Sequence, residues 1–387
     1  MKNRLIVFAL VLVAKCSAIQ FANAQATKDN PGEEESGIQR VKRRMSKVDS
    51  LFYHNGEVAS YSILPIISND NVKGLEFGVL PMFFFHTTKG NNKTSRPILL
   101  APSLAISTKG YVSADLLVDI PYRKWHIVSG LGYEKFVDRY FYRKQEVEGV
   151  FVKYNTRRME AFLDITRQTG RDLEFGLHTE YMNVKNRTFQ DQSSGGFEKW
   201  MGSSKALGLG PVIVWDTRDH FNVPTKGMYA IVRSNFYEDD LGSDFTFQRY
   251  SVDIRRYASY WSKGVFATQF VIESVNGDVP YYQLPTIAGP NKLRGLDNPN
   301  RYINKQAIFS QVEYRHDFGK RYGGVVFAGL GNSSDKFDKS LFRKMKVAYG
   351  AGVRYRVLDK ERMNLRLDYG MGSDNKSVVF IGVSESF

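Results

Sequence analysis

One alternating stretch decides the fold: Val347-Ala348-Tyr349-Gly350-Ala351-Gly352-Val353-Arg354-Tyr355-Arg356-Val357. The odd positions carry apolar or aromatic side chains, and the even positions carry alanine, glycine and arginine. Successive side chains of a β-strand point to opposite faces, so a period of two predicts a strand with one apolar and one polar face.

Similar alternation extends over most of the chain. It recurs in residues 363–371, 307–315 and 249–256, and counting back from Phe387 gives nine strands, the earliest at 205–217. Six more strands are predicted ahead of these nine, at 74–86, 95–107, 111–120, 125–135, 156–168 and 171–184. An even total requires a sixteenth strand, and residues 136–155 are the only room for it.

Strands with two different faces fit either a soluble β-sandwich or a membrane barrel. The candidate strands are roughly 9–13 residues long, which suits a tilted strand that spans a bilayer. Aromatic residues recur near the strand ends, and short turns alternate with longer loops in the C-terminal half. We therefore predict an all-β fold, a transmembrane antiparallel β-barrel of sixteen strands, with short turns in the periplasm and long loops outside.

The N-terminus has the features of an export signal. A basic head, an apolar run over 5–14 and the sequence Ala22-Asn23-Ala24 predict a cleaved signal peptide over 1–24. The single cysteine, Cys16, lies within that peptide, so we expect no thiol in the mature chain. Residues 25–72 are predicted to form a short polar periplasmic tail, and residues 73–387 an outer-membrane β-barrel. The expected location is the cell outer membrane.

Composition and motifs exclude several classes of function. Without the predicted signal peptide, 51 basic residues remain against 40 acidic ones, a net charge of +11, but the charges are dispersed. Nucleic-acid binding is therefore not expected. The six histidines show no H-x-x-x-H spacing, and neither a G-x-S-x-G segment nor a phosphate-binding glycine loop occurs. We predict no enzyme activity, no catalytic residue, no metal and no cofactor.

Several motifs resemble the bacterial surface antigen barrel superfamily, the BamA/TamA-like outer-membrane proteins. The turn with Asp216, Arg218, Asp219, Pro224 and Gly227 is similar to the family's D-x-R-D…P-x-x-G motif. Leu293-Arg294-Gly295-Leu296 is similar to its V-R-G-[FY] loop motif, with leucine at both ends, and 323–329 and 366–370 resemble its late strands. The last strand resembles its C-terminal assembly signal, with Val379, Ile381, Val383 and the final Phe387. The resemblance covers roughly residues 65–387.

The resemblance implies a specific barrel architecture. The long loop before the twelfth strand is expected to fold into the lumen, where the arginine of its R-G motif pairs with an acid on the wall. A weak seam is expected between the first and last strands, here 74–86 and 377–387. Members that assemble or secrete proteins also carry periplasmic polypeptide-transport-associated domains. The segment 25–72 is too short for one, so we expect a barrel-only member.

Arg294 is the principal candidate site residue, with Gly295 beside it. We expect its guanidinium to form a buried bidentate pair that holds the loop inside the lumen. Asp368 is the best candidate partner, because the alternation of its neighbours puts it on the polar face. Glu313 and Asp253 are alternatives by the same reasoning.

Two other sets of residues are expected to have structural roles. The turn residues are expected to fix turn geometry and strand register rather than to carry chemistry: Asp216, Arg218, Asp219, Pro224 and Gly227. Lumen-facing glycines allow close backbone approach at three positions, Gly350, Gly352 and Gly370. Three lumen arginines either make the interior anion-selective or only neutralise lumen acids: Arg354, Arg356 and Arg366.

Two functions fit these observations. The first is insertion or translocation of outer-membrane proteins, or another step of envelope biogenesis. Its expected partners are outer-membrane lipid, unfolded outer-membrane clients and other envelope proteins. The alternative is a passive or structural barrel, either a plugged pore or an accessory subunit without assembly activity.

Overall fold

A computed structural model describes residues 53–55, 58–70, 74–86, 96–142, 150–188, 201–261, 263–296, 301–319, 321–373 and 375–387. The chain divides into two units, residues 1–52 and residues 53–387. The predicted signal peptide, residues 1–24, lies outside the described residues, as does most of the predicted tail.

Seventeen β-strands account for most of the part of the chain that the structure describes. They are β1 Tyr53–Asn55, β2 Ala59–Asp70, β3 Gly74–Phe85, β4 Ile98–Ser107, β5 Val112–Tyr122, β6 Trp125–Tyr142, β7 Val150–Gln168, β8 Leu173–Thr188, β9 Gly202–Asp216, β10 Gly227–Tyr237, β11 Phe247–Tyr260, β12 Gly264–Gly277, β13 Gln306–Asp317, β14 Tyr322–Ser334, β15 Lys346–Leu358, β16 Met363–Gly372 and β17 Ser377–Val383. Short 3-10 helices occur at Asp239–Leu241, Tyr281–Gln283 and Lys339–Phe342. Within the described ranges, no helix combines the length and apolar character needed to cross a membrane.

The strands form one antiparallel sheet that nearly closes on itself. Each strand from β2 to β17 pairs with the next along the chain, and β17 lies beside β2. The short β1 pairs with the first residues of β2, from Tyr53↔Ser62 to Asn55↔Ser60. The predicted sixteen-stranded antiparallel barrel is confirmed.

The alternation in sequence becomes an outer and an inner face. On β15, Val353 is 59% exposed on the outside, whereas the neighbouring Arg354 is only 6% exposed. On β16, Tyr369 points outward and Asp368 is fully buried. Because apolar side chains cover the outside and charged ones lie within, the barrel has the surface of a protein that sits in lipid.

One end of the barrel carries short connections and exposed aromatic residues. The directions of the strands place five short turns at this end, 123–124, 169–172, 261–263, 318–321 and 359–362. The start of β2 and the end of β17, which lead to the chain termini, lie at the same end. Exposed aromatic side chains flank three of these turns: Tyr122 and Trp125, Tyr260 and Trp261, Phe318 and Tyr322. Such a girdle marks a membrane–water interface. Following the expectation that short turns face the periplasm, we call this the periplasmic end.

Two boundaries predicted from the sequence are wrong. The barrel begins before residue 73, because β2 pairs with β3 along its whole length, from Ala59↔Phe85 to Asp70↔Gly74. The described part of the range 136–155 belongs to β6 and β7 rather than to a separate strand, since these two strands pair as far as Tyr142↔Val150. The sixteenth strand is therefore β2, and the seam joins 59–70, rather than 74–86, to β17.

The weak alternation of β2 has a packing cause. Its inward-facing Leu64 belongs to an apolar cluster inside the barrel, with Met82, Phe84, Leu358 and Met363. The inner wall is therefore apolar at this point, and β2 has apolar residues on both faces. A period of two is lost when both faces are apolar.

Candidate functional site

The loop between β12 and β13, residues 278–305, packs inside the barrel. Most of its described apolar side chains are buried, among them Ile287, Ala288, Leu293, Leu296 and Tyr302. They form one cluster with wall residues of β12, β13 and β15, namely Val271, Ala307, Phe309 and Ala348. Apolar burial therefore holds much of this loop against the inner wall.

Arg294 occupies the centre of the contact between loop and wall. Its Nη1 donates a hydrogen bond to Oδ2 of Asp368 at 2.6 Å, and its Nη2 donates to Oε1 of Glu313. The guanidinium carbon also lies 3.8 Å from the ring centroid of Phe327. The side chains of Arg294, Asp368 and Glu313 are fully enclosed. The expected bidentate pair with one acid is thus divided between two acids.

Glycines allow the loop backbone to touch β16. Gly295 has a φ of 143°, and a Cβ at this position would lie 2.5 Å from the carbonyl oxygen of Met371. A Cβ at Gly370 would lie 2.3 Å from the carbonyl oxygen of Arg294. Both distances are shorter than van der Waals contact, so a side chain at either position would push the loop away from the wall.

The Arg294 cluster comprises four arginines and three acids: Arg294, Arg315, Arg354, Arg366, Glu313, Asp368 and Glu385. Nη1 of Arg354 donates to Oδ1 of Asp368 at 2.6 Å. Nε of Arg315 donates to Oε2 of Glu313 at 2.8 Å. Buried charges are stable only when they are paired, and here acids and arginines alternate in space. At Arg354, the arrangement favours neutralisation of lumen acids over an anion-selective surface.

Two lumen arginines, Arg366 and Arg356, donate hydrogen bonds to neutral amide oxygens. Arg366 donates from Nη2 to Oδ1 of the loop residue Asn291 at 2.6 Å, and its Nη1 is 4.0 Å from Asp368. Arg356 donates from Nε to Oδ1 of Asn364 at 2.8 Å. Arg366 therefore adds another polar contact between loop and wall.

The last four residues turn into the lumen. β17 ends at Val383, and the next residue, Ser384, has a φ of 60°. Oε2 of Glu385 accepts a hydrogen bond from Nε of Arg354 at 2.8 Å, and Oε1 accepts one from Asn364 at 2.8 Å. These contacts join the C-terminal residues to the Arg294 cluster.

The inward turn corrects one feature of the predicted C-terminal strand. Val379 and Ile381 point outward, but Phe387 is 5% exposed and packs with Tyr257 and Ala267. Phe387 therefore does not share the outward face of β17. Its backbone oxygen instead accepts a hydrogen bond from Arg315 at 2.8 Å. A positive φ at a serine is not readable from alternation, which explains the difference.

Asp253, the third candidate partner, lies elsewhere on the wall. Its carboxylate accepts hydrogen bonds from Nη2 of Arg255 at 2.6 Å and from Nε2 of Gln269 at 3.0 Å. Sequence reasoning missed Arg315 and Glu385 as members of the Arg294 cluster. Arg315 lies on the polar face of the strand predicted over 307–315, so the alternation alone could have placed its side chain in the lumen.

The turn motif forms a set of local hydrogen bonds between β9 and β10. Asp216 accepts from Nε and Nη2 of Arg218 at 2.9 and 2.8 Å. Asp219 accepts from the backbone N–H and the hydroxyl of Thr225, both at 2.7 Å. Pro224 is buried, and Gly227 has a φ of 102° with the carbonyl of Thr217 against it. These contacts have the geometry of a turn rather than of a reactive site.

His220 and Asp219, both in this turn, have shifted pKa values. Burial, together with the nearby charge of Arg362, lowers the pKa of His220 to about 4. Burial acts to raise the pKa of Asp219, but hydrogen bonds from Thr225 and Lys226 outweigh it, and the pKa is lowered. The neutral His220 ring accepts a hydrogen bond at Nδ1 from the N–H of Asn222, at 3.2 Å.

The seam between β17 and β2 differs from the other strand pairs of the barrel. β17 has seven residues and pairs with β16 over its whole length, from Leu365↔Val383 to Met371↔Ser377. Among the neighbouring strands of the barrel, β17 and β2 make by far the fewest close approaches. This edge is therefore held by the fewest backbone interactions.

A buried carboxylate lies across the periplasmic end of this seam. Glu361, in the turn between β15 and β16, accepts a hydrogen bond from the hydroxyl of Ser60 on β2. Its Oε1 also lies 2.9 Å from Nε2 of His86, directly after β3. Glu361 is 1% exposed. Side chains thus connect the two sides of the seam where the strand ladder is weak.

In the ranges that the structure describes, no group of three or more histidines, cysteines, aspartates and glutamates is arranged to hold a metal ion.

Comparisons with known proteins agree with this architecture. Residues 114–387 match the model of the Omp85 superfamily domain. The fold is similar to BamA from Haemophilus ducreyi lacking POTRA domains 1–3, with a TM-score of 0.56 and 14% identity over 84% of this chain and 70% of that one. It is also similar to CdiB from Acinetobacter baumannii, with a TM-score of 0.55 and 10% identity over 85% of this chain. CdiB from Escherichia coli gives a TM-score of 0.56 and 11% identity over 85% of this chain.

The chain spans 60% and 63% of the two CdiB chains, respectively. No curated protein matches the chain. At these identities, the three structural likenesses establish the fold alone.

Proposed function

Because the chain belongs to the Omp85 superfamily, we propose that it inserts or translocates other envelope proteins through the seam between β2 and β17. The family's barrel fold implies location in the outer membrane, and export through a cleaved signal peptide at 1–24 is part of the proposal. Unfolded outer-membrane clients, membrane lipid and other envelope proteins are the proposed partners. No catalytic residue or cofactor is required by this role.

The observation that carries this proposal is the weakness of the seam. β17 is fully paired with β16, whereas its contacts with β2 are few. An edge strand with free backbone groups can pair with an incoming strand. A client strand would therefore add to β2 or β17 at a lower cost in broken hydrogen bonds than at any other strand pair of the barrel.

In this proposal, the Arg294 cluster keeps the rest of the barrel rigid while the seam opens. The cluster connects the inward loop to β13 through Glu313 and to β16 through Asp368. Asp368 also binds Arg354 on β15, which in turn binds Glu385 after β17. Strands β13, β15 and β16 are thus tied to one another and to the residues after β17, so in this proposal the opening lies between β17 and β2.

Depletion of the protein from its cells, followed by quantification of outer-membrane proteins, tests the proposal. If the barrel inserts or translocates clients, at least some other outer-membrane proteins will fall in abundance in the membrane and accumulate unfolded in the periplasm. Re-expression of the chain should restore both pools. An unchanged profile of membrane proteins after depletion would contradict the proposed role.

A plugged structural barrel is the second candidate, and the loop packed inside the lumen favours it. The inward loop places Ile287, Leu293 and Leu296 against the wall, and each is at most 1% exposed. Conductance of the purified barrel in planar bilayers distinguishes the two roles when it is measured with and without residues 286–300. A large conductance only after the deletion, together with an unchanged membrane-protein profile on depletion, would favour the plugged barrel.

A further inference from the structure

At the end of the barrel opposite the periplasmic turns, the loop between β14 and β15, residues 335–345, carries a concentrated basic surface. With Lys346, which follows it, this segment contains five basic residues against two acidic ones: Lys336, Lys339, Arg343, Lys344 and Lys346 against Asp335 and Asp338. The first four of these basic residues are exposed. Two large aromatic side chains are exposed among them, Phe337 at 59% and Phe342 at 56%.

Hydrogen bonds give this loop a fixed shape. The carboxylate of Asp338 accepts a hydrogen bond from the N–H of Ser340 at 2.7 Å, at the start of the 3-10 helix. The hydroxyl of Ser334 donates to the carbonyl of Lys336 at 2.5 Å. Leu341 is fully buried between the exposed Lys339 and Phe342. The phenylalanines are therefore held at the surface by the loop itself, since only Leu341 packs inward.

The loop lies against the outer wall of the barrel. Asn332 has the same orientation on β14 as Val326 and Leu330, which are 56% and 46% exposed on the outer face. The side-chain amide of Asn332 donates to the carbonyls of Ser340 and Arg343, at 3.2 and 2.8 Å. The loop backbone is thus fixed to a residue of the lipid-facing side.

Burial on the next strand supports the same placement. Ile308 is paired with Asn332 and lies on the outer face of β13, like Val312. Val312 is 41% exposed, whereas Ile308 is only 7% exposed. The 3-10 helix lies against both β13 and β14. It therefore covers the outer face of the barrel at the upper edge of the apolar band.

We infer that residues 336–344 form a binding surface for lipids with phosphate-bearing, anionic headgroups. Aromatic side chains at the edge of an apolar band insert at the level of the headgroups, and basic residues beside them attract anionic lipids. Phe337 and Phe342 would contact the upper part of the acyl chains. Lys336, Lys339, Arg343 and Lys344 would bind the phosphates, as cations do with charge-assisted hydrogen bonds. This inference does not depend on the proposed function.

Native mass spectrometry of the full barrel tests the inference, with equal amounts of phosphatidylglycerol and phosphatidylcholine added in detergent. The test variant combines Lys336→Gln, Lys339→Gln, Arg343→Gln and Lys344→Gln. The control combines Arg123→Gln, Lys124→Gln, Arg171→Gln and Lys263→Gln, which remove the same charge from the opposite end. Heat-modifiable gel mobility establishes that both variants are folded.

The wild type should retain phosphatidylglycerol in preference to phosphatidylcholine. Each basic residue near an anionic surface strengthens lipid binding about fivefold. Even if the four contributions are not fully additive, the preference of the test variant for phosphatidylglycerol should be about tenfold or more weaker than that of the wild type. The control should retain most of it. No preference in the wild type, or an equal loss in both variants, would overturn the inference.

A second measurement reports the position of the loop. A fluorophore attached at Phe342→Cys, in vesicles of phosphatidylcholine with brominated acyl chains, should be quenched by the bromine atoms. The same fluorophore at Asp240→Cys, on the exposed loop between β10 and β11, should be quenched much less. Equal quenching at both positions, or none at 342, would contradict the placement of the loop in the membrane interface.

Discussion

Arg294 in the inward loop and Asp368 on β16 are 74 residues apart in sequence and form a fully enclosed ion pair of 2.6 Å. The same guanidinium also binds Glu313 on β13. One loop residue therefore connects two strands that are not neighbours in the barrel.

Replacement of Arg294 by alanine should strongly destabilise the barrel. Asp368 and Glu313 would lose a shared cation in an enclosed site, and loss of one partner of a buried pair costs about 3–5 kcal/mol. The free energy of unfolding in urea measures the loss, and protease digestion reports release of the loop. Arg255→Ala is the matched control, because its pair with Asp253 is partly exposed and should contribute only about 1 kcal/mol or less. Unchanged gel mobility on heating and unchanged protease protection in Arg294→Ala would contradict this account.

Gly370→Ala should loosen the loop without removing any charge. The added methyl group would lie 2.3 Å from the carbonyl oxygen of Arg294, so either the loop or β16 must move. We expect faster proteolysis within residues 278–305 and a lower unfolding temperature. Gly319→Ala provides the comparison, since its methyl group would meet open space. Equal behaviour of the two variants would show that the loop does not press on β16.

The effects of Arg294→Ala and Glu385→Ala should not be additive. The two side chains do not pair directly, but Arg354 binds Glu385 and also Asp368, the partner of Arg294. Members of one ion-pair network typically show coupling energies of about 0.5–3 kcal/mol. A double-mutant cycle on the unfolding free energy measures this coupling. Arg294→Ala combined with Asp219→Ala should be additive within about 0.5 kcal/mol, because Asp219 binds its own turn.

Mild acid should destabilise the turn between β9 and β10 through His220. Its pKa in the folded protein is about 4, below the ordinary value of 6.5, so the unfolded chain binds a proton first as the pH falls. Stability from this residue is therefore complete above about pH 6.5 and is lost progressively down to about pH 4. The pKa of Asp219 is lowered from 3.8, so Asp219 begins to contribute to the slope only near the acid end of this window, where the unfolded chain takes up its proton.

His220→Asn tests this effect, since asparagine keeps a hydrogen-bond acceptor for the N–H of Asn222 but does not titrate. The difference in urea midpoint between pH 7.5 and pH 4.5 should be smaller in the variant than in the wild type. Other titrating groups act equally on both proteins and cancel in the comparison. Identical pH dependence in the two proteins would exclude His220 as the cause.

The polar and apolar faces of the later strands could be predicted from the sequence, because one face of each strand is apolar and meets lipid, whereas the other carries charged residues and faces the lumen. Arg354 and Asp368 could be assigned to the lumen from their neighbours alone. β2 was assigned to the tail because Leu64 and its apolar partners make both faces alike. The pairing of Arg294 with two acids could not be predicted, because alternation gives a side chain's face and not its height in the barrel. The inward turn of Phe387 depends on one dihedral angle at Ser384, which no periodicity records.

The proposed function depends on whether the seam can open, and a reversible cross-link tests this directly. Ile63→Cys on β2 would be combined in turn with Val379→Cys, Ile381→Cys and Val383→Cys, and the pair that oxidises most completely would be selected. Tyr369→Cys with Val379→Cys is the control. These residues are direct neighbours on β16 and β17, so their disulfide leaves the seam free.

The decisive measurement is the abundance of other outer-membrane proteins in depleted cells that express either cross-linked variant. Our account predicts that the variant linked across β2 and β17 fails to restore these proteins until a reductant is added, whereas the variant linked across β16 and β17 restores them under both conditions. Full restoration by the oxidised seam variant would contradict the account, because clients would then pass or insert without opening between β2 and β17.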